Sequence, residues 1–376
     1  MTGSCKSTHM LNYAESSAIC RDEIILSLTP SNHTFFHIPD LSEYADKIVL
    51  LGKCTALRNR DTNMLASYIL YYDNGPEIYI SMVWTNPLNR RQGLAAQLIN
   101  KLQLSPKDIL LEVNPENPAK SLYQDLKFAF ESKKEGNDVM RFTKRLAVMQ
   151  PYIFPYLGYF HLLEASDHIV FYDDVNYIKS GWINRNRILL EGREHLFTVS
   201  LKDASSFKTI KETMVGMNIK MRDKFFKQLQ SAYAKAPHYD QVCELIAGVF
   251  ARQDGSISDM AIDSIESVYR YLGKDLSFSR ASLIAPETKE LDKSERLIHI
   301  TKKLGYNKYV NPVGGMALYD KDYFSEKGIV LSFVKPHEIN YSQFGADFIP
   351  WLSIIDVLMF NDKKTVSKFF TQYQII

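Results

Sequence analysis

Apolar positions along the chain follow two periodicities, and the order in which these alternate predicts its elements. Residues 46–56 (DKIVLLGKCTA), 65–73 (LASYILYYD) and 77–84 (EIYISMVW) read as three strands separated by the turn signals RNRDTN and NGP. Leu94, Leu98 and Leu102 then fall on one face of a helix. Residues 108–113 (DILLEV) predict a short buried strand, Ala119 to Leu126 a helix, and 138–144 (DVMRFTK) a closing strand. The pattern restarts at Leu146: AVMQPY reads as a strand, a proline-rich turn follows, then a helix over Gly158–Ala165 and the strand HIVFYDD. Strand–turn–helix–strand is the order that builds a parallel sheet. Residues 221–250 and 257–272 predict helix, the second carrying the stripe Ile257, Ala261, Ile265, Val268 and Leu272 and stopping at Gly273. Ser294–Leu304 is a helix stopped by Gly305, and KYVN and 329–335 (IVLSFVK) are strands before a polar loop and a C-terminal helical region. The expected fold class is α/β: a mixed α+β domain over 1–146, then an α/β domain with a mainly parallel sheet and a helical insertion over 147–376.

Composition narrows the function classes. The chain has 376 residues, enough for two domains, and is 45% hydrophobic and 23% charged, as in ordinary globular proteins. A net charge of +2 argues for neither a nucleic-acid partner nor an acidic membrane surface. No apolar run approaches the ~18 residues of a membrane span. The start MTGSCKSTHMLNYAESS lacks an apolar signal core. Cys5, Cys20, Cys54 and Cys243 are scattered with no CxxC pair, which fits reduced thiols and a cytoplasmic location. No histidine pair has metal-ligand spacing, so no metal site is expected. The oligomeric state is open, a homo-oligomer included.

Chemistry concentrates in two places. Arg90, Arg91, Gln92, Gly93, Leu94 and Ala95 follow a strand and open a helix. Unpaired amides at a helix N-terminus, with the helix dipole behind them, suit a pyrophosphate, and the two arginines add charge. This segment, with the strands before it and the later ENPAKSLYQDLKF, resembles the GNAT family of acetyl-CoA-dependent N-acetyltransferases over roughly residues 20–145. The family pattern (Q/R)xxGx(G/A) stands here as RRQGLA, and LYxxxGF as LYQDLKF with Lys127 in place of glycine. The resemblance implies a GNAT-like first domain and acetyl-CoA as cofactor. It places the pyrophosphate on the backbone of Gln92 to Ala95, Asn117 beside the cofactor, and Tyr123 as general acid toward the departing thiolate. The base for the substrate amine is unmarked; Glu77 and Tyr79 share a strand face and are the candidates, although each also suits a solvated strand position.

The second place is Met149–Leu189. Tyr156, Gly158 and Tyr159 have the spacing of the HxGH signature of adenylyl-transferring enzymes, with phenols replacing both imidazoles and glycine allowing a nucleotide to approach. His161 is either a phosphate contact or an ordinary helix residue. Asp173 and Asp174 close a strand and suit a base, an Mg²⁺ ligand or a sugar-hydroxyl acceptor, or a solvated strand end. Lys179, Arg185 and Arg187 supply cations for phosphate or carboxylate. Gln150, Tyr152, Trp182, Asn184 and the tyrosines complete a polar, aromatic substrate surface. Asp356, in an apolar helix-like run, requires a partner or a shifted pKa. The motifs MQPYIFPYLGYF, YDDV–YIK–GWINRNRI and YSQFGADFIPWLSIIDVLMFN resemble the WbqC-like family over nearly all of 147–376. That resemblance implies a setting in bacterial surface-polysaccharide synthesis. Two schemes follow. In one the chain is bifunctional: acetyl transfer by the first domain, and amide-forming (amino)acyl modification of a nucleotide-linked amino sugar by the second, with ATP and Mg²⁺ as further cofactors. In the other the second domain is a non-catalytic sugar-binding module.

Overall fold

The computed structural model describes residues 12–31, 38–75, 77–251, 255–345 and 347–376. The chain divides into two units, the first ending at Lys144 and the second running Arg145–Ile376. Cys5 lies outside the described residues.

The first unit is built on one sheet: β1 (Tyr13–Ser16), β2 (Lys53–Asn59), β3 (Leu65–Asp73), β4 (Glu77–Thr85), β5 (Asp108–Val113), β6 (Ala129–Lys134) and β7 (Asn137–Phe142), in the order β1-β2-β3-β4-β5-β7-β6. Its pairs are antiparallel except β4 with β5, which run parallel. Strand alternation sends Tyr68 and Leu70 to one face and Ile69 to the other. The first face packs on α1 (Arg21–Leu28) and α2 (Leu41–Leu51) through Ile24, Leu28, Ala45 and Ile48. The second packs on α3 (Leu94–Leu102) and α4 (Ala119–Asp125).

The strand expected over 46–56 is instead the end of α2 followed, after Gly52, by β2. Asp40 accepts from the amides of Ser42 and Glu43 and starts the helix. The run VLL that imitates a buried strand is mostly in solvent, with Val49 55%, Leu50 80% and Leu51 61% exposed.

In the second unit, β8 (Leu146–Met149), β9 (His168–Phe171), β14 (Phe278–Arg280), β15 (Lys308–Pro312), β16 (Val330–Pro336) and β17 (Tyr373–Ile375) form a sheet in the order β14-β9-β8-β15-β16-β17. Only β17 is antiparallel to its neighbour. Along β8, Leu146 and Val148 face one core and Ala147 the other. The first core holds α9 (Ala281–Ile284), α10 (Lys293–Lys303) and α11 (Lys321–Glu326). The second holds α5 (Leu157–Ala165), the insertion helices α6 (Ile219–Tyr233), α7 (Tyr239–Phe250) and α8 (Ile257–Tyr271), and the C-terminal α12 (Ile354–Phe360) and α13 (Lys363–Phe370). Between β9 and α6 lie the hairpin β10 (Arg185–Leu190) and β11 (Arg193–Thr198) and the short pair β12 (Leu201–Lys202) and β13 (Met214–Val215). The helix expected over 221–250 is two helices, broken where Pro237 stands between α6 and α7. Among the described residues no helix is long and apolar enough to cross a membrane.

Candidate functional site

The first unit's cavity follows from a fault in its sheet. In the β3–β4 ladder Leu70 pairs with Met82 but Tyr71 with Ile80, so Ser81 is an extra residue, a bulge in β4. On its other side β4 pairs with β5 only through Glu77–Ile80. Beyond Ile80 and Leu111 the strands part, and a cavity of about 630 Å³ opens between them. Residues 80–85 of β4 and 111–114 of and beyond β5 line it, together with Arg90, Arg91, Ala95, Asn117 and Tyr123.

The cradle stands at its mouth. Arg91 and Gly93 take left-handed backbone (φ 62° and 79°), which turns the chain into α3. Gly93 is the N-cap and offers no side chain to the first amides. These stay available to an anion, as a pyrophosphate site requires. Leu94 is buried in the core, so it serves the cradle through its backbone alone. The Gln92 side chain accepts from the Tyr13 hydroxyl at 2.9 Å, and Arg90 donates to the Thr85 carbonyl at 3.4 Å. Asn117, one residue before the N-cap Pro118, accepts from the Ala119 amide at 2.9 Å at the start of α4. That helix presents Tyr123 to the cavity, 8% exposed, its phenol pushed up to about 12 by burial.

Of the two sequence candidates for the base, Tyr79 lines the cavity and Glu77 does not. Glu77 does not line the cavity; its carboxylate pairs with Arg141 at 3.1 Å, in a cluster with Asp108 and Glu131. Tyr79 lines the cavity, but burial, and then the neighbouring Glu112, raise its pKa, so it keeps its proton. Its hydroxyl donates at 3.2 Å to Glu112, which lines the cavity and also accepts from Lys134 at 2.8 Å. Glu112 was legible in principle as the single carboxylate inside DILLEV, but strand alternation does not say which face meets a cavity.

In the second unit the chain runs from β8 outward to β9 and β14, then returns to the far side of β8 as β15. The crevice at the carboxyl ends of β8 and β15 is therefore the switch point of an open α/β sheet, where ligands bind. A cavity of about 400 Å³ lies there, walled by Met149 and Pro312 from those strand ends and by Tyr152, Tyr156, Trp182, Arg187 and Trp351. A second cavity, of about 370 Å³, lies beside it, and Tyr156 and Trp351 line both. Their rings meet edge to face, 5.9 Å apart. Trp351 has left-handed backbone (φ 62°). Arg187 packs over the Trp182 ring at 5.3 Å, pairs with Glu194 at 2.6 Å and donates to the Trp351 carbonyl at 3.2 Å. Its Nε is buried without an acceptor among the described residues.

Several residues of the dense polar segment turn out to be structural. A Cβ at Gly158 would stand 2.3 Å from Cε2 of Tyr156, so the missing side chain makes room for that ring, and the residue also lines the second cavity. Tyr159 is 2% exposed and spends its hydroxyl on the Gln150 carbonyl at 2.8 Å, and still lines the first cavity. Asp173 accepts from the Ser282 amide at 3.0 Å and hydroxyl at 2.8 Å, and Asp174 Oδ2 from buried Arg296 at 2.7 Å, while Asp174 Oδ1 is buried without a donor among the described residues. Neither aspartate faces the switch-point cavities. Asn184 is held by Tyr177 and the Val199 carbonyl. Arg185 donates to the carbonyls of Gly181 and Ser180. Lys179 is exposed and lines neither cavity. Asn186 donates to the Phe154 carbonyl at 2.8 Å and still lines the first cavity. Asp356 receives Tyr341 at 2.6 Å, Tyr233 at 2.8 Å and Gln343 at 2.8 Å, which anchors the loop before α12; burial still raises its pKa. Among the described residues no group of three or more His, Cys, Asp or Glu could hold a metal ion.

The first unit is thus a mixed α+β domain, and the second an α/β domain with a mainly parallel sheet and a helical insertion. Residues 150–368, more than half of the chain, match the model of the WbqC-like protein family, and the chain belongs to that family. A relative in Mycobacterium tuberculosis, the uncharacterized protein Rv1507c, is 28% identical over 221 residues, 58% of this chain and 94% of that one. Similar solved structures include a GNAT-family acetyltransferase from Desulfovibrio desulfuricans (14% identity, 34% of this chain, 96% of that one, TM-score 0.29). PaiA N-acetyltransferase from Thermoplasma acidophilum, in complex with coenzyme A, is 10% identical over 35% of this chain and 98% of that one, TM-score 0.28. A GNAT acetyltransferase from Elizabethkingia anophelis with acetyl-CoA bound is 15% identical over 35% of this chain and 95% of that one, TM-score 0.27.

Proposed function

We propose that residues 1–146 form an acetyltransferase domain acting on an amine, and that 147–376 form a WbqC-like domain that binds a nucleotide-linked amino sugar for surface-polysaccharide synthesis in the cytoplasm. The observation that carries the first half is the cavity where β4 and β5 part, with an uncapped helix start at its mouth and a carboxylate and a neutral phenol on its walls. Acetyl-CoA fits this donor set: the amides from Gln92 to Ala95 and the Arg90 and Arg91 guanidiniums would hold its pyrophosphate, and it would supply an activated acyl group. Glu112 takes the proton of the attacking amine, directly or through a water. The β4 edge that β5 leaves beyond Ile80 offers backbone amides to the carbonyl oxygen as charge builds on it. Tyr123 holds a proton for the departing sulfur, and burial keeps that proton in place at neutral pH.

In the second unit, the free Nε of Arg187 suits a phosphate oxygen, and Tyr152, Tyr156, Trp182 and Trp351 suit flat or ring-shaped groups. This supports binding. The ATP- and Mg²⁺-dependent ligase scheme draws on Tyr156, Gly158, Tyr159, Asp173 and Asp174; the first three line one or both cavities, whereas the two aspartates are held by Ser282 and Arg296 and line neither. The test is mass spectrometry of the products formed from acetyl-CoA, ATP with Mg²⁺, amino acids and nucleotide-linked amino sugars. An added acetyl group with no ATP consumed is the expected outcome. An added amino-acyl plus acetyl group, with ATP consumed, would establish the bifunctional scheme instead.

A further inference from the structure

We propose that the cavity behind the Tyr156–Trp351 pair is the sugar subsite of the second unit, and that His161 fixes the sugar there by accepting a hydrogen bond from one of its hydroxyl or amino groups. The inference rests on the reading that this unit binds a nucleotide-linked amino sugar, and adds which cavity takes the sugar and which atom recognises it.

Leu157, Gly158 and His161 fall on one face of α5 and line this cavity. His161 is 1% exposed. Its Nε2 lies 2.9 Å from the Phe369 carbonyl. A carbonyl can only accept, so Nε2 carries the proton, and in the neutral ring Nδ1 is then a bare acceptor. Burial lowers the His161 pKa, which keeps the ring neutral at pH 7. Nδ1 is buried and has no donor among the described residues. A buried acceptor left without a donor is costly, and a bound hydroxyl or amine removes that cost. A fully ionised phosphate brings only acceptors to the same atom, so the neutral ring suits a hydroxyl or amine better than a phosphate.

The neighbouring walls agree. Tyr156 and Trp351 offer aromatic faces and edges to the apolar side of a pyranose, and Glu338 and Asn340 offer further polar groups. Arg187, whose Nε is the unmatched donor, lines the first cavity; His161, whose Nδ1 is the unmatched acceptor, lines the second. The aromatic pair lines both. A nucleotide sugar has the same division, phosphate acceptors at one end and hydroxyl or amine donors at the other.

His161→Gln separates the roles of the ring, since its amide can still donate to the Phe369 carbonyl while the Nδ1 acceptor is gone. Calorimetric titration of the full chain with UDP-glucosamine and with UDP should show affinity for the amino-sugar conjugate falling about tenfold in the variant, with UDP changed by less than about twofold. Equal losses for both ligands, or none for either, would overturn the inference. Imidazole ¹⁵N shifts of the unsubstituted protein give a reading independent of the variant's folding. The Nε2–H tautomer is required, with Nδ1 shifting when UDP-glucosamine is added; an Nδ1–H tautomer, or an Nδ1 indifferent to the bound conjugate, sinks it. If the protein binds neither UDP nor UDP-glucosamine, the nucleotide reading fails by itself. Free glucosamine then decides the subsite: a shift of Nδ1 supports it, and no shift at millimolar glucosamine overturns it.

Discussion

Gly93 and Gly158 both sit at helix starts, and they are glycine for opposite reasons. At Gly93 the space is open, with nothing within 4 Å of where a Cβ would stand, but φ is +79°. Gly93→Ala should therefore strain the cradle by about 1 kcal/mol, raising KM for acetyl-CoA with little change in kcat. At Gly158 the backbone is ordinary and the space is taken by Tyr156. Gly158→Ala should drive that ring off, at a cost of about 1–3 kcal/mol, and weaken ligand binding to the second unit; calorimetry and a melting curve would show both. Tyr123→Phe keeps the buried ring and removes the proton it holds, so kcat for acetyl transfer should fall at least about 100-fold with KM for acetyl-CoA nearly unchanged. An unchanged kcat would remove Tyr123 from the mechanism. Asp174→Ala leaves Arg296 charged and buried, and should destabilise the second unit by about 3–5 kcal/mol without a direct effect on either cavity. At this scale the sequence showed which residues could do chemistry. It could not show which were already occupied, because the partners of Asp173, Asp174 and Tyr159 lie 109, 122 and 9 positions away.

Elements with a strong periodic signature were legible. The spans of α3 and β5 agree with the pattern read from the sequence, because one apolar face of each packs on a single core. The end of α2 imitates a strand because its apolar residues are exposed, and β1, β6 and the β10–β11 hairpin escape a reading of pattern because edge and ribbon strands carry little apolar alternation. The bulge at Ser81 was not readable at all: a one-residue register shift leaves no mark on the pattern of its own strand. Contacts between elements also set a pH dependence. Arg58 on β2 donates to Glu23 on α1 at 2.7 and 2.9 Å, and that hydrogen-bonded pairing lowers the Glu23 pKa from 4.5 to about 2. A carboxylate with a depressed folded-state pKa stabilises above its unfolded value, and loses that contribution as pH falls through the folded one. Glu23→Gln should therefore cost the first unit about 1 kcal/mol at neutral pH, the pair being partly exposed, and the gap from the unsubstituted protein should close between pH 4.5 and about 2. Acid titration followed by circular dichroism of the two proteins would measure that gap; one undiminished from its neutral value at pH 2 would refute the assignment.

Each unit has cores of its own: every buried residue of the first unit's two clusters precedes Lys144, and every one of the second's follows Arg145. Residues 145–376 expressed alone should therefore unfold cooperatively, and keep the full chain's affinity for UDP-glucosamine; a molten product would show that the division into units is not one of independent stability. The sequence by itself determined the two-part organisation, the α/β grammar of the second part, the helix start at Gly93 and the family to which the chain belongs. Those depend on local spacing, which periodicity and helix-start chemistry record directly. Only the tertiary structure decided which polar groups face a cavity: Glu112 rather than Glu77 in the first unit, and Arg187 and His161 rather than the aspartate pair in the second. A polar side chain is available to a ligand only if the fold has not already satisfied it, and satisfaction is set by contacts across long stretches of chain.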